Sequence, residues 1–92
     1  MKLTALSTNT QEYRRLRELS IAKSKIQWET IGENDYKATI GDYLFHCEQM
    51  DRNNWWIGVY HDKEEIVNQT GYNTESEAKE ACIEAYVTHL LS

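Results

Sequence analysis

The sequence predicts an α+β domain: an N-terminal helix, an antiparallel β-meander of four or five strands, and a C-terminal helix packed on the sheet. Three observations carry that reading. Tyr13, Leu16, Leu19, Ala22 and Ile26 recur every three to four residues, as on one face of a helix. Between residues 26 and 70, short apolar–polar alternations are separated by polar turns, as in strands joined by hairpins. From Thr74 onward the helical spacing returns through Ala78, Ala81, Cys82, Ala85, Tyr86, His89 and Leu90. Such an order folds into a sheet with helices on one face.

Asn9 and Glu12 have the spacing of a capping box, which starts the first helix near residue 10, ends it near 24, and leaves residues 1–9 loose. Arg14, Arg15, Arg17, Glu18 and Lys25 fall on its polar side. Residues 26–31 alternate, and Gly32-Glu33-Asn34-Asp35 turns the chain. Residues 36–40 alternate again. Gly41-Asp42 is a two-residue hairpin turn with glycine first, as in type II′. Residues 43–50, 55–61 and 65–70 supply the remaining strands, separated by Asp51-Arg52-Asn53-Asn54 and Asp62-Lys63-Glu64. Gly71-Tyr72-Asn73 breaks the last one. Thr74 is then a good N-cap, with Glu77 completing a capping box. Glu75, Glu77 and Glu80 complement the positive end of this helix, and His89 its negative end. The small residues let it lie close on the sheet. Ile83, Val87 and Leu91 widen its apolar arc, toward the first helix or an oligomer contact.

A chain of 92 residues is one domain, residues 1–92, because either half alone would bury too little. Its 40% hydrophobic and 27% charged content suits a globular protein and argues against disorder. Two cysteines cannot build a disulfide framework. No segment approaches the roughly 18 apolar residues of a membrane helix. Residues 1–6 faintly imitate a secretory signal, but Ser7-Thr8-Asn9-Thr10-Gln11 ends the apolar stretch. The expected compartment is the cytoplasm, with reduced thiols.

The net charge of -5 disfavours a generic DNA-coating protein. It is unevenly spread. Residues 1–27 hold six cations against two anions, and residues 28–92 hold four against thirteen. Asymmetry of this kind points to a charged partner or to contact between the two parts.

The C-terminal half resembles the double-stranded-RNA-binding domain. Trp56-Ile57-Gly58-Val59-Tyr60 looks like its second strand, and Glu65-Ile66-Val67-Asn68 like its third. Gly71-Tyr72-Asn73-Thr74, leading into Ser76-Glu77-Ala78-Lys79-Glu80-Ala81, is similar to the lead-in of its last helix. The resemblance implies lysines at that helix start, gripping phosphates across a groove. Here Glu75, Ser76 and Glu77 stand there, and only Lys79 is kept. A glutamate repels a phosphate, so the resemblance speaks for the fold and against the grip. The small size, aromatic meander and final helix are also similar to small accessory proteins of bacteriophages and prophages. That similarity implies a non-enzymatic protein that occupies a host or phage partner, as an inhibitor for instance.

Alternation separates Trp55, Ile57 and Val59 from Trp56, Gly58 and Tyr60. Two short helices cover only one face. If the first set is core, Trp56 and Tyr60 stand on the open face as interface anchors. Which tryptophan faces inward is open at this level. The expected function is therefore a protein-binding module. Trp56 and Tyr60 anchor it, while Asp62, Glu64, Glu65, Glu75 and Glu77 steer it to a basic partner. The first alternative is a double-stranded RNA or DNA binder using Arg14, Arg15 and Arg17 with Lys23 or Lys25. The second is a self-associating structural protein, pairing through the sheet or the Ile83, Val87, Leu91 strip. No metal site or cofactor is expected, since His46, Cys47, His61 and Cys82 lack paired ligand spacing. No nucleophile elbow, phosphate loop or dinucleotide fingerprint occurs, so no enzyme is expected.

Overall fold

Hairpin turns form where the chain offers residues that tolerate positive φ. Gly41 opens the turn between Ile40 and Tyr43 at φ 60°, the glycine-first position expected. Asn34 and Asn53 adopt φ 50° and 55° in two further turns, and Asp62 and Lys63 adopt 50° and 73° in the last. Asparagine and aspartate occupy this region at low cost. The computed structural model describes residues 3–92, with side chains from Thr10 onward. These turns join β1 (Glu29–Gly32), β2 (Asp35–Ile40), β3 (Tyr43–Asp51), β4 (Asn54–His61) and β5 (Glu64–Tyr72). The five strands form one antiparallel sheet in sequence order. Helix α1 (Leu3–Lys25) precedes the sheet and α2 (Glu75–Leu91) follows it. The α+β architecture is the one expected.

Helix α2 lies on one face of the sheet, against β3, β4 and β5, while α1 docks chiefly on α2. Phe45, Ile57 and Val59 are fully enclosed on the helix side, together with Ala78, Cys82 and Val87 of α2. Enclosing a side chain of the Val, Ile or Phe class stabilises by about 1.5–3 kcal/mol. Thr74 is the N-cap, its Oγ1 accepting from the Glu77 backbone N–H at 3.1 Å. The Glu77 carboxylate accepts from the N–H of Asn73 at 3.2 Å, one residue outside the usual capping-box partner.

Several elements differ from the sequence expectation. Helix α1 is already under way at Leu3, so Asn9 lies inside it and is not its cap. Of the segment expected to be loose, residues 3–9 are helical, and residues 1–2 lie outside those described. Leu19, Ala22 and Ile26 pack on the core, but Tyr13 and Leu16 are 66% and 63% exposed. Three-residue spacing rotates each step by about 60° around a helix of 3.6 residues per turn. Tyr13 and Leu16 have therefore rotated off the packed side that Leu19, Ala22 and Ile26 share. Strand β1 is confined to residues 29–32, and all four are exposed. Trp28, just before it, turns its ring toward Phe45 at 6.3 Å. Ile83 and Val87 are buried, because α2 is covered by both the sheet and α1. They belong to the core and leave no strip for self-association.

Candidate functional site

Strand β4 decides which tryptophan is inside. Trp55, Ile57 and Val59 are buried on the helix side, with Trp55 5% exposed. Trp56 and Tyr60 point the other way, onto the face opposite α2, and both are half-buried. Gly58 lies between them. A Cβ built on Gly58 would sit 2.7 Å from Trp56 Cη2 and 2.8 Å from the Tyr60 hydroxyl. Both rings therefore fold inward across the glycine, and only a residue without a side chain leaves them room.

Hydrogen bonds fix the Trp56 half of this arrangement. Trp56 Nε1–H donates to Asn68 Oδ1 at 2.6 Å, and Asn68 Nδ2 donates to Glu65 Oε1 at 3.2 Å. His46 is the cross-strand partner of Gly58, and its ring meets Trp56 edge-on at 5.0 Å. His46 Nε2 is in turn 2.6 Å from Asp35 Oδ1. Beside Tyr60 a shallow depression of about 430 Å³ is lined by Asp42, Leu44, Tyr60, Asp62 and Lys63. The register places Glu29, Asp35, Glu48 and Glu65 on this face with Lys37. The face is thus aromatic at its centre and acidic around it.

The structure brings together Trp56, Tyr60, Asp62 and Glu65 from the expected set. It does not bring the other three. Glu64 pairs with His61, whose ring stacks on buried Tyr43, and so falls to the helix side. Glu75 and Glu77 stand at the start of α2 and are used there. Glu75 accepts from Lys79 Nζ at 2.6 Å, and that hydrogen bond holds its carboxyl below the usual range. Glu77 serves the cap.

The basic residues of α1 separate as well. Arg15 binds Glu84 and, at 3.1 Å, Thr88; Lys23 lies 3.2 Å from Glu80. Part of the charge asymmetry is therefore contact between the two helices. Arg14, Arg17 and Lys25 are exposed and make no ion pair among the described residues. Arg14 and Lys25 share one side of α1, since eleven residues span about three turns, and Arg17 lies about 60° from Arg14. Arg15 and Lys23 thus do not line a groove with them. Lys79, the lysine shared with the double-stranded-RNA-binding domain, is held by Glu75. Its Nζ sits 4.0 Å above the Tyr36 ring and 5.3 Å from the Trp28 ring.

His46, Cys47, His61 and Cys82 do not converge on one point. Both cysteines are buried thiols. Burial pushes Cys47 up to about 11, and raises Cys82 as well. His61 pairs with Asp42 at 3.2 Å, on the side of Tyr43 and His89. A different group does converge: Asp35, His46 and Glu48 place their ligand atoms within 4.8 Å of one another. The signal for it lies in the Gly41-Asp42 turn. A two-residue turn pairs Ile40 with Tyr43, and the same register sets Asp35 opposite Glu48, with His46 beside them on one face.

The chain matches no protein-family model, no curated protein and no solved structure. Among the described residues, no helix is long and apolar enough to cross a membrane.

Proposed function

We propose that the protein is a non-enzymatic binding module that docks the open face of its sheet on a basic surface of a partner protein. The observation that carries this is the aromatic pair folded over Gly58. Trp56 is held by Asn68, Tyr60 lies beside it over Gly58, and neither has a covering layer. Aromatic anchors with few freely rotating bonds lose little entropy on binding. The acidic residues around them favour a basic partner and raise its rate of encounter. The protein acts by occupying that surface, in the manner of the phage and prophage accessory proteins it resembles in style. A cytoplasmic setting accords with two buried, unpaired thiols.

Affinity capture from the native host, quantified by mass spectrometry, tests the reading. A partner retained by the wild type and by an Arg14→Ala/Arg17→Ala variant, but lost from Trp56→Ala/Tyr60→Ala, supports it. A partner retained by the folded Trp56→Ala/Tyr60→Ala variant removes the open face from the interface.

Exposed Arg14, Arg17 and Lys25 favour a second reading, in which α1 binds duplex RNA or DNA through phosphates. Duplex binding that weakens steeply with salt, and vanishes in an Arg14/Arg17/Lys25 alanine variant, would select it. An absence of binding at low salt would remove it.

A further inference from the structure

Asp35 and Glu48 are direct cross-strand partners on β2 and β3, both half-buried and on the same face. Like charges directly opposite each other in a sheet are destabilising. Asp35 has His46 at 2.6 Å, whereas Glu48 makes no hydrogen bond or ion pair among the described residues. Lys37, the cross-strand neighbour of His46, is exposed and bonds to neither carboxylate. What the three share is a common point, since their ligand atoms all lie within 4.8 Å of one another.

We infer that Asp35, His46 and Glu48 form a binding site for one divalent transition-metal ion of the zinc class. Metal–ligand bonds of about 2.0–2.2 Å in a tetrahedral site place neighbouring ligand atoms roughly 3.3–3.6 Å apart. Reaching that spacing requires the His46–Asp35 pair to open from 2.6 Å and any separation near the 4.8 Å limit to close. One imidazole and two carboxylates suit zinc, nickel or copper better than magnesium, which demands an all-oxygen octahedron and keeps its water. The three donors stand on adjacent central strands, so the backbone beneath them is fixed by ladder hydrogen bonds on both sides. Trp56, the cross-strand partner of Glu48, walls the site on one side and meets the His46 ring at 5.0 Å.

The proton balance follows from the geometry. His46 Nε2–H donates to Asp35 Oδ1 in the metal-free protein. An ion that takes Nε2 as a ligand leaves the ring proton on Nδ1, the other tautomer of the neutral imidazole, and frees Asp35 to be a second ligand. Glu48 needs no such rearrangement, since its carboxylate has no partner to give up.

Isothermal titration of the untagged full chain with zinc chloride alone, and with magnesium chloride as control, tests the site. The expected result is one zinc bound per chain and no magnesium binding. Glu48→Gln keeps the shape, breaks no hydrogen bond and should weaken zinc binding at least tenfold; His46→Gln should do the same. His61→Gln, on the other side of the sheet, should bind as the wild type does. Quenching of Trp56 fluorescence by nickel, absent in Glu48→Gln, gives a second readout. Undetectable zinc binding by the wild type, undiminished binding by folded Glu48→Gln, or loss only in His61→Gln would each overturn the site. These readouts need no protein partner, so they stand apart from the docking proposal.

Discussion

Replacing Gly58 with alanine should rearrange the open face while leaving the fold intact. The added Cβ meets Trp56 at 2.7 Å and the Tyr60 hydroxyl at 2.8 Å. Carbon atoms at rest sit about 3.5 Å or more apart, so the indole must retreat by roughly 0.8 Å. The 2.6 Å bond from Trp56 Nε1–H to Asn68 is stretched by such a shift to as much as about 3.4 Å, which weakens or breaks it. Losing one exposed hydrogen bond costs about 0.5–1.5 kcal/mol. Alanine in place of glycine within a strand returns about 0.5–1 kcal/mol. The two effects nearly cancel, because the atoms in the way are the far ends of side chains and not backbone. Urea unfolding should place Gly58→Ala within about 1 kcal/mol of the wild type. Trp56 emission, isolated by subtracting a Trp56→Phe background, should shift, and partner binding should fall at least tenfold. A loss of more than about 3 kcal/mol, of the size seen for buried-core truncations, would show that the pair supports the core. Unchanged emission would show that the rings do not lie over Gly58.

Phe45→Ala removes a fully enclosed ring and should cost about 3–5 kcal/mol in urea unfolding, whereas Trp56→Ala should cost less than about 2. Thr74→Ala should lower stability by about 1 kcal/mol, read from a thermal melt, because the Glu77 N–H loses its acceptor. Glu75 titrates below its usual range because Lys79 donates to its carboxylate. Its contribution to stability is thus full above about pH 4.3, the unfolded value, and is lost as pH falls through the lower folded value. Unfolding midpoints measured across that range should fall less steeply toward acid in Glu75→Gln than in the wild type. An identical slope would show that Glu75 and Lys79 are not coupled.

The alternation of β2 to β4 was legible because each strand buries one side, and a register slip would expose Phe45 or Ile57. The final helix was legible from Thr74 and Glu77, whose cap is local. The course of α1 was not. Its capping-box spacing at Asn9 suits a helix start, but seven helical residues from Leu3 to Asn9 override it. Its apolar spacing also concealed a rotation that leaves Tyr13 and Leu16 in solvent. Trp56 and Tyr60 could be assigned to one face, yet which face was inside depended on tertiary contact with α2. Glu75 looked like free acidic charge, because a sequence does not show that Lys79 claims it; Glu77 was read both as a cap residue and as part of the acidic surface, and the cap keeps it. The Asp35, His46, Glu48 group was implicit in a turn length, and a search for short ligand motifs passes over residues on two strands.

Partner binding through Trp56 and Tyr60 requires that the open face of the sheet meets the partner. Tyr60→p-benzoylphenylalanine places a photoreactive ring at its centre, and Arg17→p-benzoylphenylalanine places one on α1. Irradiation in the native host should give one discrete adduct from position 60, lost when Gly58→Ala is added, and none from position 17. Adducts from position 17 alone would contradict the account and move the interface to α1.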